Sequence, residues 1–162
     1  MRTIIGRSGS YDLCLSTGKG NIIPNRTWTR FGDAQCRRDT ARFQQMLPRA
    51  QLRSARGNHN CMGLAFAARR TAIDIDHLPT ILQEDGYRPL GDAEVPREGD
   101  LVAYRNEDGY SHVGLVWTPG EHDEMLVLSK WGALAEFLHP LREVPPAYGS
   151  EVEFWTDREE VQ

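Results

Sequence analysis

A hairpin between residues 101 and 117 constrains the fold of this chain more than any other feature. Residues 101–105 and 111–117 are rich in β-branched, aromatic and other apolar residues, as strands are. The segment between them contains Asp108-Gly109, a dipeptide typical of tight hairpin turns. Strands joined by so short a turn must pair antiparallel. We therefore expect an antiparallel sheet in the second half of the chain.

Two more strands are predicted downstream, at residues 125–130 and 151–155. The last of these alternates charged with apolar or aromatic residues, which is typical of a half-buried edge strand. Upstream, apolar residues at helical spacing predict helices at 33–52, at 61–68 and at 74–84, with Pro48 ending or kinking the first and Asp76 capping the third. Helices followed by an antiparallel sheet indicate the α+β class.

The length of 162 residues suits one domain. Residues 1–32 are rich in glycine and polar residues, with short strand-like pieces at 3–5 and 21–23. We expect residues 1–56 to form an N-terminal extension of loops, short strands and one helix. This extension would pack on a core of residues 57–162 as one folded unit.

Composition excludes several classes of function. The net charge is −4 and the basic residues are dispersed, which argues against nucleic acid as a partner. No apolar run reaches the roughly 20 residues that span a bilayer. Cys14, Cys36 and Cys61 follow no Cys-x-x-Cys spacing, so we expect neither a metal site nor a cofactor, and free thiols in a reducing compartment. Residues 1–7 lack a secretory signal pattern, which predicts a cytoplasmic protein or one exported without a cleavable signal.

Cys61 is the candidate nucleophile. It stands in the first turn of the apolar helix, and Asn58 and Asn60 before it are residues that cap helix starts. Unpaired N–H groups and the helix dipole at that position predict a lowered thiol pKa, and faster alkylation of Cys61 than of Cys14 or Cys36. The alternative is that Cys61 is a small buried apolar residue.

His112 is the candidate base, because histidine titrates near neutrality and can both take and return a proton. It begins a strand, and the small Gly114 two residues later is expected to leave room beside the imidazole. We expect His59 to form a wall of the cleft. His77 and His122 stand among charged residues and are expected in solvent.

A third group should orient the imidazole, and the next strand is the place to look for it. Ser129 or His139 could accept a hydrogen bond there, although a surface hydroxyl and a loop histidine explain them equally well. The oxyanion of an attacked carbonyl would be held by the backbone N–H of Cys61, with Asn58 or Asn60 adding a side-chain amide. Helix capping alone also accounts for both asparagines.

Residues 57–155 resemble the NlpC-type and CHAP-type branch of the papain-like cysteine peptidases and amidases. The matching features are Asn60-Cys61 before an apolar helix, residues 99–105, and the run 111–116 (Ser-His-Val-Gly-Leu-Val). A poorly characterised bacterial group near that branch is also similar, through the segment 129–132 (Ser-Lys-Trp-Gly), His139 and Tyr148-Gly149. The resemblance implies a papain-like fold with Cys61 as nucleophile and His112 as base. Two features depart from the family pattern. The peptidoglycan-cleaving members usually have Asp-Cys-Ser/Ala-Gly where this chain has Asn60-Cys61-Met62-Gly63. Their third catalytic residue usually lies on the following strand, where this chain has Leu128-Ser129.

Three functions follow as hypotheses. The first is a thiol hydrolase that cuts an amide bond in a peptide, a protein or peptidoglycan, with Trp131 helping to bind substrate. The second is a toxin or effector that deamidates or acylates a protein, with an inhibitory or immunity protein as partner. The third is a non-catalytic interaction module that uses Trp117, Trp131 and Trp155 as exposed aromatics.

Overall fold

A seven-stranded antiparallel sheet forms the body of the protein in the computed structural model, which describes residues 13–27, 33–55, 58–121, 124–132 and 135–159. The helices are α1 (Asp33–Met46), α2 (Cys61–Phe66) and α3 (Leu78–Glu84), the last preceded by a 3-10 turn at Ile75–His77. The strands are β1 (Asn25–Arg26), β2 (Gln51–Ser54), β3 (Ala72–Ile73), β4 (Arg88–Pro89), β5 (Leu101–Asn106), β6 (Gly109–Thr118), β7 (Leu126–Trp131), β8 (Ala135–Pro140) and β9 (Glu151–Thr156). The chain is therefore an α+β protein.

The main sheet has the order β2-β8-β7-β6-β5-β9-β4, and β1 pairs separately with β3. The predicted hairpin is present as β5 and β6, closed by the pair Asn106↔Gly109, and Gly109 has a φ of +117° that suits glycine. Strand β9 is not an edge strand, because β4 covers its outer side and β5 its inner side. The sequence pattern did not predict the two-residue strand β4, which forms the edge of the sheet beside β9.

Strands β2 and β8 were not among the predicted elements. The helix expected at 33–52 ends at Met46, and Gln51–Ser54 pairs with β8 instead. Pro48, which cannot continue a helix, separates the two elements. His139 lies within β8 rather than in a loop, since every residue of Ala135–Pro140 is buried and the run lacks the alternation of a half-exposed strand.

The third predicted helix begins differently from expectation. Asp74, not Asp76, provides the cap, because its side chain accepts a hydrogen bond from the N–H of Asp76 at 3.2 Å. A 3-10 turn follows and continues directly into α3. In the described residues, no helix combines the length and apolar character that crossing a membrane requires.

Helix α2 packs on one face of the sheet and carries Cys61 at its first position. Cys61 and Met62 share a buried cluster with Leu101, Ala103 and Val113 from the central strands. The opposite face holds a second cluster that includes Tyr104 and Val116. Val113 of β6 therefore faces α2.

The N-terminal part of the chain is bound to this core. Ile23 is buried in the same cluster as Cys61, and the hydroxyl of Thr17 donates to Glu84 of α3 at 2.5 Å. The N–H of Gly18 donates to the carboxylate of Asp85 at 2.6 Å. The strand expected at 21–23 is reduced to a single bridge between Ser16 and Ile22, and the strand expected at 3–5 lies outside the described residues.

Gly63 sets how closely α2 approaches the segment that leads into β3. A Cβ at this position would lie 1.7 Å from the backbone oxygen of Thr71 and 2.9 Å from the Cβ of His59. Alanine has a higher helix propensity than glycine by about 1 kcal/mol. The clash of the added Cβ with the backbone of Thr71 is expected to cost more than this gain. We expect Gly63→Ala to lower the free energy of unfolding by about 2 to 3 kcal/mol.

Urea denaturation measures the effect of Gly63→Ala. Ala65→Gly is the control in the same helix, because it changes helix propensity by a similar amount and removes one partly buried methyl group without creating a clash. An unfolding midpoint in Gly63→Ala equal to or above that of the wild type would contradict the close approach.

Candidate active site

Asn60 fixes the start of α2 and hence the position of Cys61. Its side-chain oxygen accepts hydrogen bonds from the N–H of Gly63 at 3.0 Å and from the N–H of Ile73 at 3.2 Å. Its amide nitrogen donates to the carbonyl of Ile73 at 2.7 Å. The predicted cap is therefore present, and it also ties the helix start to β3. Asn58 is exposed and has no place in the cavity lining.

Cys61 and His112 line the same cavity, which has a volume of about 660 Å³. At the sheet end, Ser111, Gly132 and Tyr148 complete the wall around them. The rest of the lining comes from the two-stranded sheet β1–β3 and the turn that follows it, and includes the charged residues Arg26 and Asp74. Cys61 and His112, the predicted nucleophile and base, are 51 positions apart in the sequence, and the fold places both in the lining of one cavity.

The thiol of Cys61 does not have the lowered pKa that the sequence predicted. Burial raises its pKa above 9.0, and the N–H groups of Val113, Met62 and Cys61 itself, which act on the sulfur, offset this only in part. Helix α2 has six residues, so its dipole is small, whereas Cys61 is only 9% exposed. In the unliganded protein Cys61 is therefore a neutral thiol at pH 7.

The rate at which each cysteine is alkylated should reflect how deeply it is buried. We expect iodoacetamide at pH 7.5 to modify the exposed Cys14 faster than the buried Cys61, and the rate at Cys61 to keep rising above pH 9. Timed peptide mapping by mass spectrometry measures both rates in one sample. A rate at Cys61 that is higher than at Cys14 and levels off below pH 8 would show that the thiolate is stabilised in the free protein.

His112 is fully buried and lines the cavity together with Cys61. It pairs with Tyr104 across β5 and β6, and its imidazole stacks on the ring of Tyr148 with centroids 3.9 Å apart and planes within 5°. Among the described residues, neither ring nitrogen has a hydrogen-bond partner, the sulfur of Cys61 included. Burial, with a smaller contribution from His139, lowers the pKa of His112 well below 6.5. The imidazole is therefore neutral at pH 7.

Gly114 does not leave room beside His112, contrary to the sequence prediction. A Cβ at Gly114 would lie 2.5 Å from Cγ1 of Val127 and 3.1 Å from Cβ of Ser129. The missing side chain allows strand β7 to pack closely, and the space is already filled.

Ser129 and His139 form a buried hydrogen-bonded group of their own. The Ser129 hydroxyl and Nε2 of His139 are 2.8 Å apart, and the indole N–H of Trp131 donates to the same hydroxyl at 3.0 Å. Nδ1 of His139 lies 2.8 Å from the carbonyl of Pro140. The structure thus brings both candidate orienting residues near His112 without a hydrogen bond to it within the described ranges.

Trp131 is fully buried and does not line the cavity. Its ring stacks on Phe137 with centroids 4.2 Å apart and meets Phe43 edge-on at 5.1 Å. The expectation that Trp131 is an exposed aromatic for a partner is therefore wrong. Trp117 is 42% exposed, whereas Trp155 is partly buried and donates to Glu153.

The other histidines also differ from expectation. His59 is buried with its Nε2 2.9 Å from the carboxylate of Glu136, which also accepts from Arg69, and it does not line the cavity. His77 is half-buried and does line the cavity, instead of standing free in solvent. His122 lies outside the described residues.

Sequence reasoning gave no role in the site to Ser111 or Tyr148. Tyr148 appeared only as part of the Tyr-Gly pair in the resemblance, far along the chain from Cys61. Ser111 was noted only as the neighbour of His112, and the bulge that re-aims it is not visible in the residue pattern.

In the part of the chain that is described, no group of three or more His, Cys, Asp and Glu side chains is arranged to hold a metal ion. Comparison with family models, with curated proteins and with solved structures gives no match for this chain.

Proposed function

We propose that the protein is a thiol hydrolase that cleaves an amide bond, with Cys61 as nucleophile and His112 as general base. The observation that carries this proposal is that a cysteine at a capped helix start and a buried, neutral imidazole line one cavity. Both nitrogens of that imidazole lack hydrogen-bond partners among the described residues, so no contact fixes the tautomer and the unprotonated nitrogen is free to take a proton. The resemblance to papain-like cysteine hydrolases assigns the same two residues to the same roles.

The neutral state of both groups determines the first step. The Cys61 thiol gives its proton to His112 as the sulfur attacks the substrate carbonyl carbon, and the carbonyl oxygen becomes an oxyanion. The N–H of Cys61 and its neighbours at the helix start supply donors for that charge.

Collapse of this intermediate completes acylation. The C–N bond breaks as the His112 imidazolium returns its proton to the departing amine, which leaves a thioester on Cys61. Neutral His112 then takes a proton from water, the hydroxide adds to the thioester, and the carboxylic acid leaves as the thiolate is reprotonated.

The cavity supports a peptide-like substrate. A cavity volume of about 660 Å³ is enough for several residues of a peptide, and the lining offers polar groups and charged groups of both signs. Asn25, Arg26 and Asp74 are among the lining residues. A peptide, a protein segment or the stem peptide of peptidoglycan would each present an amide of this kind.

Incubation with purified peptidoglycan, and separately with unfolded proteins, tests the proposal by mass spectrometry. Hydrolysis adds one water and creates a new amine and a new carboxylate. Release of ammonia without cleavage would instead identify a deamidase, and transfer of an acyl group would identify an acyltransferase. The Cys14→Ala variant is the control that retains the nucleophile.

A further inference from the structure

The imidazole of His112 must keep one orientation to act as a base, but the two side chains expected to orient it make hydrogen bonds to other groups. The hydroxyl of Ser129 lies against His139, and the remaining nitrogen of His139 lies against the carbonyl of Pro140. In the ranges that the structure describes, no hydrogen bond reaches the imidazole of His112. Its orientation must therefore come from packing.

Tyr148 provides that packing. Its ring covers the imidazole face to face at 3.9 Å, while Tyr104 contacts the same imidazole at a tilt of 42° and a centroid distance of 5.6 Å. A stack within 5° of parallel fixes the plane of the imidazole. Tyr148 also lines the cavity, as His112 does.

Tyr148 and Cys61 line the same cavity. Burial raises the pKa of Tyr148, and a thiolate at Cys61 would raise this pKa further, whereas the N–H of Gly132 lowers it.

Two features of the chain hold Tyr148 in this position. The hydroxyl of Ser111, the residue directly before His112, donates to the carbonyl of Tyr148 at 2.5 Å. Gly149 has a φ of +83°, and a Cβ there would lie 1.9 Å from the carbonyl oxygen of Arg105. The segment that carries Tyr148 is therefore fixed to the hairpin that carries His112.

We propose that Tyr148 is the positioning residue of His112, and that its stacked ring takes the orienting role that Ser129 or His139 was expected to have. This inference rests on the proposed function, in which His112 is the base. It assigns the orienting role to an aromatic ring rather than to a hydrogen-bond acceptor.

Nitrogen-15 NMR of the histidine rings tests the inference without any substrate, with the His112 signals assigned by their loss in His112→Gln. In Tyr148→Leu we expect shifted His112 signals and a titration midpoint that moves toward 6.5 by about one pH unit or more, because the ring loses its cover. Tyr148→Phe keeps the ring and should restore the wild-type signals. Tyr110→Leu is the matched control, since Tyr110 packs against the cluster on the α2 face of the sheet.

Unchanged His112 signals in a folded Tyr148→Leu variant would overturn the inference. If that variant does not fold, Ser111→Ala replaces it, because it removes the tie to Tyr148 and keeps both rings. A shift of the His112 signals in Ser111→Ala supports the inference, and identical signals overturn it.

A second readout separates positioning from mere packing. With p-nitrophenyl acetate as an acyl donor, acetylation of Cys61 should fall about tenfold in Tyr148→Leu and return in Tyr148→Phe. If Cys61 is never acetylated in the wild type, the proposed function fails, while the NMR result still decides whether Tyr148 holds His112.

Discussion

Cys61→Ala is expected to abolish amide hydrolysis, and His112→Ala to lower kcat/KM by a factor of about 10² to 10⁴. The first variant removes the atom that forms the acyl intermediate. The second leaves a thiol whose pKa burial has raised, with no neighbouring base to take its proton. Cleavage of the substrate found by mass spectrometry, followed as a rate, measures both effects.

The control for these variants is Cys14→Ala, because Cys14 is exposed and does not line the cavity. It should keep the wild-type rate. Thermal unfolding should show that Cys61→Ala remains folded, since the change removes only a sulfur from a residue that is already 9% exposed. Full activity in Cys61→Ala would remove this thiol from the mechanism altogether.

Acidification should destabilise the protein well above the range in which carboxylates titrate. Burial lowers the pKa of His139 to about 4, and that of His112 lies well below 6.5. In the unfolded chain both histidines have the ordinary pKa of about 6.5. Between that pH and their lower pKa values in the folded protein, the unfolded chain binds more protons than the folded one, so the free energy of unfolding falls as pH drops below 6.5. His139 alone accounts for about 3 kcal/mol between pH 6.5 and pH 4, and His112 adds to this loss.

Urea denaturation at pH 7.5, 6, 5 and 4.5 measures this dependence. With both histidines, the free energy of unfolding should fall by about 3 kcal/mol per pH unit below pH 6. His139→Gln cannot titrate and should roughly halve that slope. Ser129→Ala keeps His139 and removes a hydrogen-bond partner, so it should lower stability at every pH and leave the slope unchanged. A flat profile down to pH 5 in the wild type would contradict burial of the two imidazoles in neutral form.

The parts of the fold that the sequence predicted depend on local chemistry. The hairpin was predictable because Asp108-Gly109 and the flanking apolar strands specify it within a few residues. The start of α2 was predictable because Asn60 is a strong cap and the residues after it are apolar.

The parts that were wrong depend on contacts between distant segments. Strand β8 is buried along its whole length between β2 and β7, so it lacks the alternation that marks a strand on its own. Strand β2 forms because its backbone pairs with the edge of β8, and the four residues of β2 do not by themselves specify a strand.

The site shows the same division. Cys61 and His112 carry recognisable chemistry and could be chosen from sequence. The raised pKa of Cys61 could not, because it depends on how deeply α2 is buried against Val113. The stacking of Tyr148 on His112 arises from the Ser111 bulge and the left-handed Gly149, which act together only in the folded chain.

Reaction with p-nitrophenyl acetate tests most directly whether Cys61 and His112 act together. The account predicts a burst of p-nitrophenol with the acetyl group mapped to Cys61, and a burst about 100-fold slower in His112→Ala. Acetylation of Cys14 in the same samples should be equal in both proteins. Acetylation of Cys61 at the same rate with and without His112, or at Cys14 alone, would contradict the account.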